Sequence, residues 1–325
     1  MEKSIGGYFE WEFPKEKNEE LHPGGVLLNG GRYALEYILR GLTKINRLWL
    51  PYFTCEVVLQ PVKKLGIPYS FYRINSKLEL DESIDLSSDD YLVYTNYYGI
   101  KDSYVHELSL RYRQNLIIDN AQALYCKEEE HSHQFYSPRK FLGMPDGGIV
   151  VSSLPDMSEL LPQSLSYDKC MHLLKRIELA PMEGYADFKE NDAKLDDSSI
   201  CQMSEISKRI LRSAGLREIK EIRRSNFEYL HKTLKDKNLL DIPSMDSFSC
   251  PLVYPFWTKD STLKKLLISN NIFVATYWPN VFDWTCPGDV EYELADRIVC
   301  IPVDQRYTES DMSRIISTLS FKNNE

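Results

Sequence analysis

Long apolar runs are missing from this 325-residue chain, and with them any stretch approaching the ~20 residues that span a bilayer. The N-terminal MEKSIGGYFEWEFPKEK interleaves charges with apolar residues and has no signal-peptide core, so neither membrane insertion nor export is expected and the cytoplasm is the expected location. Basic clusters are equally scarce. Lys63-Lys64 and Arg223-Arg224 are short and the net charge is −9, whereas a phosphate backbone is bound through clustered Lys and Arg. Nucleic acid and anionic membranes are therefore not expected partners. The seven cysteines (55, 126, 170, 201, 250, 286 and 300) show no CxxC spacing and are odd in number, which argues against a disulfide framework and for a reducing compartment. Among six histidines, His131-Ser132-His133 lacks a Cys or carboxylate at ligand spacing, so it reads as a surface loop and no metal site is expected. Repeats and low-complexity tracts are absent.

What is present is an ordinary globular composition, 43% hydrophobic and 27% charged, in a chain long enough for two lobes. From residue 26 to 152 helix-period segments alternate with short β-rich runs, the pattern of strands packed between helices in an open α/β sheet. Tyr33, Ala34, Tyr37, Ile38 and Leu42 recur at helical spacing after Asn29-Gly30-Gly31. Strands are expected at Arg47–Leu50, Tyr69–Ile74, Tyr91–Thr95, Leu116–Ile118 and Gly147–Ser152, the third and fourth as buried continuous runs. Residues 156–204 mix helix-like stretches with the polar KENDAKLDD, read as a connector or exposed loop. Beyond it, Ile206–Lys235 forms one long helical pattern. A strand at Leu252–Trp257, a helix at Ser261–Ser269, strands at Ile272–Thr276 and Arg297–Val303, and a helix at Glu309–Leu319 then read as a compact βαββα unit. A boundary near residue 200 separates a large unit, 1–200, from a smaller one, 201–325.

Three segments could carry chemistry. In IIDNAQAL, Asp119 follows Leu116, Ile117 and Ile118 and would stand at the carboxyl end of a buried strand, where open α/β sheets place ligand crevices. Taken alone it reads rather as a cap on the next turn or helix. In FYSPRKFLGMPDGGIVVSS, Lys140 lies among Pro138, Pro145 and three glycines; a lone lysine is ordinarily a solvated surface group, and a catalytic one needs a site that frees its amine. In NGGRYAL, two glycines precede a helix start, which suits close approach to an anion but also suits a plain turn.

Taken in order, the segments resemble the DegT/DnrJ/StrS family of sugar aminotransferases, which depend on pyridoxal 5′-phosphate (PLP). LNGGRYALEYIL is similar to the family's phosphate-side helix start. LPYFTCEVVLQPVKKLG is similar to its strand, Pro-containing turn and helix, VYTNYYG to the next strand, LIIDNAQAL to the Asp-containing cofactor strand, and SPRKFLGMPDGGIVV to the Lys and Gly-Gly segment. NIFVATYWPN and IVCIPVDQRYTESDMSRII resemble its small-domain strands and terminal helix. The resemblance implies that Lys140 carries the cofactor as a Schiff base and then shuttles the proton, and that Asp119 holds the protonated pyridine nitrogen. It further implies that Gln122 lies near the phenolic oxygen and that Gly31, Arg32 and Tyr33 meet the phosphate. Cys55 stands where many members stack an aromatic on the ring, with Tyr97 or Tyr98 as a substitute. Phe135 stands where a phosphate-binding Ser is usual, with Ser137 as its replacement.

The expected architecture is thus α/β, a three-layer PLP-dependent transferase large domain with a smaller α+β C-terminal domain, in a homodimer. The expected activity is transfer of an amino group from an amino acid, with glutamate as donor, to a nucleotide-linked keto-sugar for polysaccharide or glycoconjugate synthesis. Two alternatives remain open. One is a sugar dehydratase on the same scaffold, although members with that chemistry have His in the lysine's place. The other is a non-catalytic scaffold or regulator.

Overall fold

The computed structural model describes residues 7–17, 19–196 and 198–319. Seven strands form one sheet: β1 (Val26–Leu28), β2 (Arg47–Pro51), β3 (Tyr69–Tyr72), β4 (Asp90–Thr95), β5 (Leu116–Asn120), β6 (His133–Tyr136) and β7 (Gly148–Val151), in the order β1-β7-β6-β5-β4-β2-β3. Strands β3, β2, β4, β5 and β6 run parallel, and β7 is antiparallel to both β6 and β1. The side-chain period of two sorts each strand between two faces. Val93, Ile117, Phe135 and Val150 pack against α1 (Gly31–Gly41) and α2 (Leu59–Lys64). Leu92, Tyr94, Leu116, Ile118 and Tyr136 face the other way, toward α3 (Asp102–Tyr112). Both faces are covered, which gives the expected three-layer α/β class and explains the continuous apolar runs of β4 and β5.

Four helices follow the sheet: α4 (Met171–Glu178), α5 (Tyr185–Lys194), α6 (Glu205–Ser213) and α7 (Leu216–Leu234). The chain then forms β8 (Val253–Trp257), α8 (Leu263–Ser269), α9 (Val281–Trp284), α10 (Val290–Arg297), β9 (Ile298–Pro302) and α11 (Glu309–Thr318), with β8 and β9 paired antiparallel. Phe227 and Leu230 of α7, Tyr254 and Phe256 of β8 and Ile301 of β9 join the same apolar cluster as the α3 side of the sheet. No helix among the described residues is long and apolar enough to cross a membrane.

Several elements differ from expectation, each for a local reason. The KENDAKLDD segment is helical through Lys194, because α5 buries Asn191 and adds a Glu190–Lys194 pair one turn apart. The long helix over 206–235 is instead two, broken at Ala214-Gly215. Residues 272–276 make a single bridge, Ala275 to Cys300, in place of a strand. His133 is no surface loop: it lies in β6, buried, with Nδ1 2.7 Å from the Ser152 hydroxyl.

Candidate active site

Asp119 falls in phase with Ile117, so its carboxylate lies on the α1 side of the sheet, at the carboxyl end of β5 and in register with Thr95 and Phe135. It is buried, and one oxygen accepts from the Ala121 N–H at 2.9 Å. Among the described residues nothing donates to the other oxygen. Burial pushes the carboxyl above the ordinary Asp range, opposed by the Lys140 ammonium and by the Ala121 N–H.

Lys140 is brought to Asp119 by the turn after β6. Pro138 opens a short 3-10 turn over Pro138–Lys140, closed by the Lys140 N–H donating to the Ser137 carbonyl at 3.1 Å. The Lys140 side chain is exposed, and among the described residues its Nζ makes no hydrogen bond or ion pair. The same turn meets the start of α1. A Cβ on Gly31 would lie 3.5 Å from the Ser137 Cβ. Gly147 donates its N–H to the Asn29 carbonyl at 3.2 Å, and a Cβ on Gly148 would fall 2.4 Å from the Gly30 carbonyl oxygen. Only glycine at 148 permits that approach, which fixes the first turn of α1 beside Ser137. That turn has no side-chain cap and no acidic residue, so its N–H groups and dipole are available to an anion.

Cys55 completes the cluster. Burial pushes its thiol up, while Lys140 and Arg32 pull it down and Asp119 pushes it up again, so all three charges act on the one sulfur. Its loop is clamped from the C-terminal part of the chain. Asn280 Nδ2 donates to the Thr54 carbonyl at 2.9 Å, and its Oδ1 accepts from the Glu56 N–H at 3.3 Å, so one amide brackets Cys55 on both sides.

Lys140, Asp119, Cys55 and Arg32 are thus electrostatic neighbours, and Gly31 and Ser137 touch. The other candidates point elsewhere or face inward. Arg32 pairs with Asp196 and donates to Gln60 at 2.9 Å, and the Tyr33 hydroxyl donates to the Leu195 carbonyl; both tie residues 195–196 to the helix start. Gln122 is fully buried, with Oε1 accepting from the Tyr98 N–H at 2.8 Å and Nε2 left without a partner. Phe135 packs into the α1-side core. Tyr97 and Tyr98 are fully buried, Tyr97 with its ring 5.5 Å from that of Phe53 and its hydroxyl on the Phe53 carbonyl at 2.9 Å. Tyr97 lies close enough to Asp119 for the carboxylate to act on its phenol. Sequence reasoning missed Asn280 and also Arg139 and His172, two residues that line a cavity together with Lys140. Arg139 could have been found as the neighbour of Lys140, whereas Asn280 and His172 carry no local motif. Among the described residues no group of three or more His, Cys, Asp or Glu could hold a metal ion.

No known family profile matches the chain, and no curated protein matches it by sequence. Solved structures do match in three dimensions. The sugar aminotransferase CalS13 from Micromonospora echinospora superimposes with a TM-score of 0.60 at 19% identity, over 90% of this chain and 86% of that one. The aminotransferase TlmJ from Streptoalloteichus hindustanus gives 0.63 at 15% identity, over 90% and 84%. The E. coli GDP-4-keto-6-deoxy-D-mannose-3-dehydratase with bound hydrated PLP gives 0.64 at 14% identity, over 91% and 87%. The chain has the fold that these two aminotransferases and this dehydratase share.

Proposed function

We propose that this protein is a PLP-dependent aminotransferase of the DegT/DnrJ/StrS type, which moves an amino group from an amino acid, with glutamate as donor, to a nucleotide-linked keto-sugar. One observation carries the reading: a buried carboxylate with an unpaired oxygen, Asp119, and an amine without a partner, Lys140, converge beside the uncapped start of α1. That donor set suits PLP. Asp119 would hold the ring nitrogen, the first turn of α1 with Gly31 and Ser137 would hold the phosphate, and the buried, unpaired Gln122 Nε2 is a spare donor at the inner side. Arg32 and Tyr33 would hold the helix start in place, and Cys55 would lie against the ring. When bound, PLP supplies an electron sink at the carbon that carries the amino group. The residues supply the rest. Lys140 provides the amine that fixes the cofactor, and its Nζ then takes and returns the proton, while Asp119 keeps the proton on the ring nitrogen. Residues 1–200 would form the cofactor-binding unit and 201–325 the unit that clamps it through Asn280.

Cys55 in the place where many members of the family have a ring-stacking aromatic favours a second reading, a non-catalytic scaffold, and the dehydratase of the same fold favours a third. One experiment separates them. Glutamate alone should convert the PLP-loaded protein to its pyridoxamine form, and a nucleotide keto-sugar added next should regenerate PLP with an equal amount of amino sugar. Loss of water from the sugar without amination would assign a dehydratase, and no reaction with any amino donor would assign a scaffold.

Helices α4 and α5, which line a cavity with Lys140, and the segments next to them carry exposed apolar side chains: Leu160, Leu165, Tyr167, Ile177, Met182 and Tyr185, with Ile177 76% exposed. Such a face on a soluble chain calls for a partner, and we assign it to a second copy in a homodimer. Sedimentation equilibrium should give a dimer for the wild type and a shift to monomer for Ile177→Asp; a monomeric wild type at micromolar concentration contradicts the assignment.

A further inference from the structure

Arg139 is a largely buried cation with one loose partner. Its side chain is 16% exposed, and its one ion pair among the described residues is to Asp192, with Nη1 3.6 Å from Oδ1. Burial lowers the basicity of this guanidinium, and the nearby Arg32 opposes its charge further, yet arginine stays protonated and must find an anion. Next to it lies a cavity of about 310 Å³ lined by Lys140, Arg139, Gly143, His172, Phe188 and Asp192. His172 is 9% exposed, its ring rests edge-on against Phe188 at 5.7 Å, and its Nδ1 has no partner. Buried polar atoms without partners are rare in native structures and call for an explanation.

A planar guanidinium and a histidine whose buried Nδ1 has no partner line one small cavity beside Lys140 and form a cradle for a carboxylate, which arginine binds bidentately. The cavity is at the small end of the ~300–1,000 Å³ range of small-molecule sites, which suits an amino acid better than a nucleotide sugar. Resting on the reading of Lys140 as the amine at the reaction centre, we propose that Arg139 and His172 bind a carboxylate of the amino-acid donor. Asp192 then acts as an internal stand-in that the donor displaces from Arg139. Asp192 faces this site from α5, His172 from α4, and Arg139 and Lys140 from the turn after β6.

The test is calorimetric titration of glutarate, an unreactive dicarboxylate, into the protein with and without saturating PLP. Wild type should bind glutarate in both conditions. Arg139→Gln should weaken binding about tenfold or more, the loss expected for one bidentate charged contact, and His172→Phe should weaken it too. Asp192→Asn should tighten it, a change in the direction that partial unfolding cannot produce. No glutarate binding by the wild type, or unchanged affinity in Arg139→Gln and Asp192→Asn, overturns the proposal. Binding that PLP or inorganic phosphate abolishes also overturns it, because Arg139 would then serve the cofactor's phosphate. The underlying reading is scored separately by colour: a protein that never takes up PLP but binds glutarate through Arg139 keeps this site and loses the aminotransferase assignment.

Discussion

Asp119→Asn should slow the conversion of the PLP form by glutamate about 100-fold while leaving the fold and the yellow colour in place. The carboxylate already stands buried, held by one backbone N–H and facing Lys140. Burial disfavours its charged form, so a cation brought to the unpaired oxygen stabilises it strongly. A charge-assisted hydrogen bond is worth roughly 1.5–3 kcal/mol, and about 1.4 kcal/mol corresponds to a decade in rate. The burial of the Asp119 carboxylate places the loss at the upper end of that range. Asparagine keeps the shape and can still accept from Ala121, but without the negative charge it does not keep a proton on the ring nitrogen. Stopped-flow absorbance with excess glutamate measures the effect. A rate within threefold of wild type would remove Asp119 from the cofactor site.

Lys140→Ala should have the larger effect on chemistry and a small one on stability. The side chain is exposed and makes no hydrogen bond or ion pair among the described residues, so its loss falls in the surface class of substitutions, within about 0.5 kcal/mol. In the proposed reaction the same change removes both the amine that would fix the cofactor and the carrier of the proton, and a positioned proton carrier alone supplies up to about 10⁴-fold. The variant should therefore melt like wild type, fail to hold PLP covalently and lose glutamate conversion by about four orders of magnitude. The Asp119 and Cys55 groups report on the same change. Lys140 pulls both down, so in the cofactor-free variant the Cys55 thiol should react with alkylating reagents more slowly at pH 8 than it does in wild type. An equal alkylation rate would place Lys140 farther from Cys55 than the structure does.

The sheet was readable where burial writes itself into composition. Strands β4 and β5 are packed on both faces, so Leu92 to Tyr94 and Leu116 to Ile118 stand as continuous apolar runs. Strand β6 was not readable, because two of its four residues are polar and are satisfied from elsewhere: His133 by Ser152, and Gln134 by the Asn120 amide at 3.4 Å and the Tyr136 hydroxyl at 3.0 Å. Residues 272–276 have the opposite history, with strand-like composition but a single bridge to β9. The site divides in the same way. Asp119, Lys140 and Gly31 lie in segments whose order along the chain carries the family resemblance. Asn280 clamps a loop more than two hundred residues away in sequence, and His172 of α4 lines one cavity with Arg139 from the turn after β6; no local pattern encodes either relation. The glycines were visible as a turn, but the reason for Gly148, the carbonyl of Gly30 lying where a Cβ would be, exists only once β7 and the start of α1 are side by side.

The proposed attachment of the cofactor to Lys140 is tested by direct mapping. Wild-type protein loaded with PLP, reduced with borohydride, digested and sequenced by mass spectrometry should carry the pyridoxyl group on Lys140 and on no other lysine, at close to one per chain. Label on a different lysine, or no stable label after reduction, would remove Lys140 as the residue that holds PLP.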